Sequence, residues 1–290
     1  MLVASAICAV GASAAFAGPR TLAMVQDATT TPENDVELEA WLDFGHPSGF
    51  NHDQRRPQPS NGMPWFGVRT GLLEGLEIAS YLVFEKKSDV ARAPGSNALV
   101  EDGSGFQMWS TMLKWRPVAE GRFAIDPFVQ FEVIDWFERY HPIQFHLTLG
   151  GAKKIGRWSV QVNAGYWDST NVEFREPPDS AAAPRWHWLD MSVGASFDAI
   201  VGGRAPALAL GFEAWGLIPL QAFGLLTSEK GHIHNHFLHG GGMVVGPTAF
   251  VSKGRLWLTG HMGMAVIGNS DPNETQVGNL FSRLVLGIAL

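Results

Sequence analysis

Val36-Glu37-Leu38-Glu39-Ala40-Trp41-Leu42-Asp43-Phe44 alternates residue by residue. Val36, Leu38, Ala40, Leu42 and Phe44 fall on one side, and Glu37, Glu39, Trp41 and Asp43 on the other. A helix scatters these two sets around its axis, whereas a strand separates them. The rhythm returns over Trp65–Leu73, Leu76–Glu85, Phe106–Trp115, Phe123–Trp136, Ile143–Gly150 and Trp158–Trp167. It continues over Trp188–Phe197, Leu208–Trp215, a glycine-rich stretch near Phe237–Val251, Leu256–Ile267 and Leu280–Leu290. The pattern predicts an all-β fold of about twelve antiparallel strands, with about ten as the alternative count.

Composition narrows the kind of β protein. Charged residues make up 17% of the 290 and apolar residues 46%. The first figure is well below the roughly 25% of soluble domains. No apolar run reaches the about 18–20 residues of a spanning helix. Few charges and dispersed apolar residues suit a transmembrane up-and-down β-barrel, whose strands alternate lipid-facing and interior side chains. A soluble β-sandwich is the competing architecture.

Connection lengths favour the barrel. Short turns are expected at Glu74-Gly75, Ala119-Glu120-Gly121, Ile155-Gly156, Gly202-Gly203-Arg204 and Lys253-Gly254. Between them lie long polar links: Gly45–Pro64, Lys86–Gly105, Asp168–Arg185, Pro219–His236 and Asn269–Asn279, with Glu138–Pro142 an exception in length. Outer-membrane barrels keep tight turns at the periplasmic end and long loops outside. A sandwich has no such reason to alternate. Trp65, Phe66, Trp109, Trp115, Trp136, Phe137, Trp158, Tyr166, Trp167, Trp186, Trp188 and Trp257 mostly fall at expected strand ends, as interfacial girdles require.

Residues 1–17 read as a signal peptide: a small apolar stretch ends in Ala15-Phe16-Ala17, although no Lys or Arg precedes Arg20. Residues 18–35, with Thr29-Thr30-Thr31-Pro32 and no period, are expected to form a flexible periplasmic leader before a barrel over 36–290. The only cysteine, Cys8, falls in the signal, so the mature chain has neither a disulfide nor a cysteine metal site to draw on. The last strand, Leu280–Leu290, is similar to the terminal signal read by the barrel-assembly machinery, but ends in Leu290 where an aromatic is usual. Outer-membrane lipid and that machinery are the expected partners.

If one face meets lipid, the other lines the interior. Parity puts Glu37, Glu39, Asp43, Arg69, Glu77, Glu85, Glu132, His146, Asp190, Glu213, His261 and Arg283 there, together with Gln130, Gln144, Gln161 and Asn163. Carboxylates dominate, so a cation-favouring lumen is expected. The alternative is a filled interior in which Arg69 and Arg283 pair with neighbouring acids. Trp41, Trp109, Trp167 and Trp215 are also read as lumenal, suited to stacking on solutes or to packing.

His232, His234, His236 and His239 form one local cluster whose spacing could hold a transition metal. A solvated loop is the competing reading. No cofactor is expected. His187, Asp190 and Ser192 are the nearest approach to a hydrolytic set, but parity splits His187 from Asp190, so an enzyme is not expected. A net charge of −7 without a basic patch argues against nucleic-acid binding.

Phe131-Glu132-Val133, Leu149-Gly150-Gly151-Ala152-Lys153-Lys154-Ile155-Gly156 and Val162-Asn163-Ala164-Gly165-Tyr166 make a strand-turn-strand unit within Phe128–Trp167. This unit resembles those of the outer-membrane barrels grouped as transporters of the phenol-degradation meta pathway. The resemblance implies uptake of small, including aromatic, solutes across a bacterial outer membrane, and transfers no binding residue. The expectation is therefore a passive or weakly selective conduit. A closed barrel with partner-binding loops is the runner-up, and a lipid-modifying enzyme comes third.

Overall fold

The computed structural model describes residues 22–26, 28–46, 62–86, 104–118, 123–136, 143–170, 186–202, 206–220, 242–267 and 280–290. Twelve strands follow in chain order: β1 (Val36–His46), β2 (Gly62–Leu73), β3 (Leu76–Lys86), β4 (Ser104–Trp115), β5 (Asp126–Trp136), β6 (Ile143–Ile155), β7 (Trp158–Thr170), β8 (Trp186–Ile200), β9 (Ala207–Pro219), β10 (Gly242–Lys253), β11 (Leu256–Ile267) and β12 (Leu280–Ala289). Each pairs antiparallel with its sequence neighbours, and β12 pairs with β1 to close the barrel. The predicted count of twelve holds, including the glycine-rich strand, described over Gly242–Lys253.

Closure removes every sheet edge, so each strand's backbone groups are paired without water. The tight turns show why their residues were chosen. Gly156 and Gly254, both at φ 61°, open the two-residue links to β7 and β11, and Gly75 at φ 77° completes the link from β2 to β3. A side chain there would be strained. Links 74–75, 116–125, 156–157, 201–206 and 254–255 all lie at one end. The strand ends that flank 47–61, 87–103, 137–142, 171–185, 220–241 and 268–279 lie at the other.

The two faces differ as the alternation predicts. Outward lie Leu38, Phe66, Val68, Leu113, Phe131, Leu147, Leu149, Val193, Phe212 and Leu286, all exposed. Inward lie Trp41, Tyr81, Met112, Phe250, Trp257 and Val285, buried in one cluster. Two glycines make room for its aromatics. A Cβ on Gly67 would overlap the Tyr81 ring, and one on Gly287 the Trp257 indole. Small residues on one strand thus seat large rings from the next.

Candidate functional site in the barrel interior

The interior is built around ion pairs. Arg69 of β2 is buried at the centre of three glutamates. Its Nη1 lies 2.8 Å from Glu39 Oε1 and 3.3 Å from Glu37 Oε2, and its Nη2 lies 2.8 Å from Glu77 Oε2. Ring donors complete the acids: Trp41 Nε1 donates to Glu39 at 2.9 Å, Tyr81 Oη to Glu39 at 2.8 Å, and Trp257 Nε1 to Glu37. Across the closing seam, Arg283 donates to both oxygens of Asp43 and stacks over Trp41 at 5.2 Å. Buried charges survive only when paired and hydrogen-bonded in this way.

The segment expected to be a flexible leader is different: from residue 22 onward it lies inside the barrel. Leu22, Ala23, Val25, Ala28 and Thr31 are buried. Beside the short-turn end, Asn34 N donates to Gly71 O at 3.0 Å and Gly71 N to Asp35 O at 3.2 Å. Further in, Thr31 donates through N and Oγ1 to Glu77 at 2.6 and 2.8 Å. Lys114 Nζ donates to Thr29 O at 2.6 Å, and Asn163 Nδ2 to Gln26 O at 3.1 Å. At mid-height, the Glu213 carboxylate accepts from the backbone of Ala23, Met24 and Val25 at 2.8, 2.6 and 2.9 Å. Over Ala23–Thr31 the segment has no period because side chains of the wall satisfy its backbone; only beside Gly71 does it pair with a strand.

Most of the residues that parity assigns to the inner face have buried side chains. Glu37, Glu39, Asp43, Arg69, Glu77, His146, Glu213 and His261 are buried, and Glu132, Asp190 and Arg283 join the same networks. Glu85 lies in β3, but its side chain is outside the described residues, as are His232, His234, His236 and His239. The carboxylates are not a free negative wall. Glu37, Glu39, Glu77, Asp43 and Glu213 are each engaged by a cation or by the segment.

Lys114 was missed, and Trp109 was placed on the wrong face. Trp109 is exposed on the outside, where its Nε1 donates to Ser80 Oγ at 2.9 Å. A bulge between Val83 and Phe84 shifts the β3–β4 register, so parity counted from Phe106 puts Lys114 outward when it points in. Three expected girdle residues, Trp65, Trp167 and Trp257, also pack inside, while Phe66, Trp115 and Trp158 are exposed outside.

The half of the lumen nearer the long links has another character. Val83, Met108 and Ile134 form an apolar cluster against which Trp65 and Trp167 pack. Trp167 stacks on His146 at 4.0 Å, and His146 is flanked by Glu132 and Asp190, each at 3.4 Å. An apolar cavity of about 330 Å³ lies in the wall from β7 to β11, bounded by Val162, Met191, Val193 and Ile267 and by Trp215 and Leu217.

Among solved structures, an outer membrane channel from Pseudomonas putida F1 is similar over 91% of this chain and 98% of its own, at 13% identity and a TM-score of 0.54. The likeness is one of fold. A bacterial polysaccharide outer membrane secretin (8% identity, TM-score 0.37, 89% of this chain and 99% of that one) and the outer membrane channel DcaP of Acinetobacter baumannii (6%, 0.31, 88% and 96%) overlap too loosely to carry an argument. No family model and no curated protein matches the sequence.

No hydrolytic set assembles among the described residues. His187 faces outward, with Tyr166 Oη 2.7 Å from its Nδ1 and Asp168 at 3.4 Å, while Ser192 and Asp190 belong to the inner face. No group of three His, Cys, Asp or Glu suited to a metal occurs among the described residues.

Proposed function

We propose that the chain is an outer-membrane conduit for small apolar solutes, aromatic ones included. Its outer face is a continuous apolar belt of a size that water-exposed monomers do not carry, and acyl chains are the solvent that suits it. The short links would face the periplasm and the long ones the exterior. This location agrees with the name of the Pseudomonas putida F1 channel, and the solute class with the resemblance of Phe128–Trp167 to the meta-pathway transporters.

The observation that carries the solute class is the division of the lumen. Its outer half presents Trp65, Val83, Met108, Ile134 and Trp167, whereas its inner half holds the Arg69–glutamate cluster and the segment from residue 22. An apolar ring entering there would exchange water for stacking and dispersion contacts.

Entry of ethylbenzene into vesicles with a lipopolysaccharide outer leaflet tests the reading. The protein should speed entry well above that of protein-free vesicles, and equal rates would refute it. The filled inner half favours a second reading, a closed shell. That reading predicts no binding of apolar solute at all.

A further inference from the structure

Two indoles in the outer half of the lumen have a donor and, among the described residues, no acceptor. Trp65 Nε1 and Trp167 Nε1 are shielded from solvent and donate to nothing among the described residues. In the inner half, by contrast, Trp41 Nε1 is received by Glu39 and Trp257 Nε1 by Glu37. Those two carboxylates are themselves held by Arg69, and none of the described residues brings an acceptor to Trp65 or Trp167.

Both unpaired indoles pack on the same Val83, Met108 and Ile134 cluster. Their planes are held from behind, Trp65 by stacking on Trp41 at 5.6 Å and Trp167 by stacking on His146 at 4.0 Å. The donors are therefore fixed before any solute arrives, which lowers the ordering cost of binding. A buried N–H without a partner is unfavourable, and a ligand oxygen that reaches it removes that penalty.

Building on the proposed conduit, we infer that the chamber selects apolar solutes carrying a neutral hydrogen-bond acceptor, such as a ketone, aldehyde, ester or ether oxygen. Trp65 and Trp167 determine that specificity through their Nε1 atoms. A hydrocarbon of the same shape gains the stacking but leaves the donors unmet. A carboxylate gains the hydrogen bond but must shed its hydration beside Glu132 and Asp190, so charge is disfavoured.

Acetophenone and ethylbenzene share a skeleton and differ in the carbonyl oxygen. Their affinities for the purified full chain in detergent are to be measured by calorimetry and corrected for each compound's own partition into micelles. Acetophenone should bind about tenfold more tightly. In the Trp65→Phe/Trp167→Phe double variant the ratio should fall to about one, with ethylbenzene affinity held within about twofold because the stacking surface is kept. Equal affinities in the unaltered protein, or a preference that survives in the double variant, would overturn the inference and leave the conduit standing. Binding of neither compound would overturn the conduit, and the inference with it.

Discussion

Asp43 and Arg283 stand directly opposite each other on β1 and β12, and Arg283 grips both Asp43 oxygens, through Nε at 2.6 Å and Nη2 at 2.7 Å. The first and last strands are thus joined inside the barrel by a two-pronged ion pair as well as by their ladder. Removing one member leaves the other charge uncompensated in a largely dry interior. Asp43→Asn should lower the stability of the folded barrel by about 3 kcal/mol. The heat needed to convert the compact gel band to the unfolded one reads this directly. An unchanged midpoint would mean that the pair contributes nothing to closure.

Glu213 holds three successive backbone N–H groups of the inner segment. Glu213→Ala should release residues 22–26 and raise the population of the unblocked lumen by about tenfold, since charge-assisted hydrogen bonds are among the stronger ones. Single-channel conductance should rise, and deletion of residues 22–31 should raise it further. If neither change alters conductance, the segment does not lie in the path.

The outer belt is testable by quenching. Brominated acyl chains should quench Trp158, which is exposed on the outside, and spare Trp257, which is buried within. Trp158→Phe should therefore remove part of the quenchable emission, and Trp257→Phe none. On the same belt, Leu149→Arg near the middle of β6 should cost about 2–4 kcal/mol. A harmless arginine there would place that face in water.

Gly67 seats the Tyr81 ring, whose hydroxyl donates to Glu39. Gly67→Ala should push the ring aside and destabilise the barrel by about 1–3 kcal/mol. Tyr81→Leu in the same chain should recover part of the loss. If the double variant is no better than the single, the steric account of this glycine fails.

The strands were legible because a half-buried strand writes its two environments into alternate residues. Val36–Phe44 does so without exception, and it sufficed to place Glu37, Glu39 and Asp43 inside. Legibility ended where that rule did. The bulge before Phe84 inverted the reading of β4, concealing Lys114 and misplacing Trp109, because an extra residue changes face without changing composition. The segment from residue 22 was unreadable for another reason: its partners are side chains far along the chain, so no local rhythm marks it. One signal did exist. The interior acids outnumber the wall's arginines, and a surplus of buried carboxylates calls for donors from elsewhere, which the backbone of Ala23, Met24 and Val25 supplies.

The guanidinium of Arg283 lies over the Trp41 indole, and that arginine comes 240 positions after its acid partner. Contacts so distant along the polypeptide form late, after nearer hairpins have zipped. Trp41 would then act as a natural clock for biogenesis, the last change in its emission coming when the final strand arrives and the cylinder shuts.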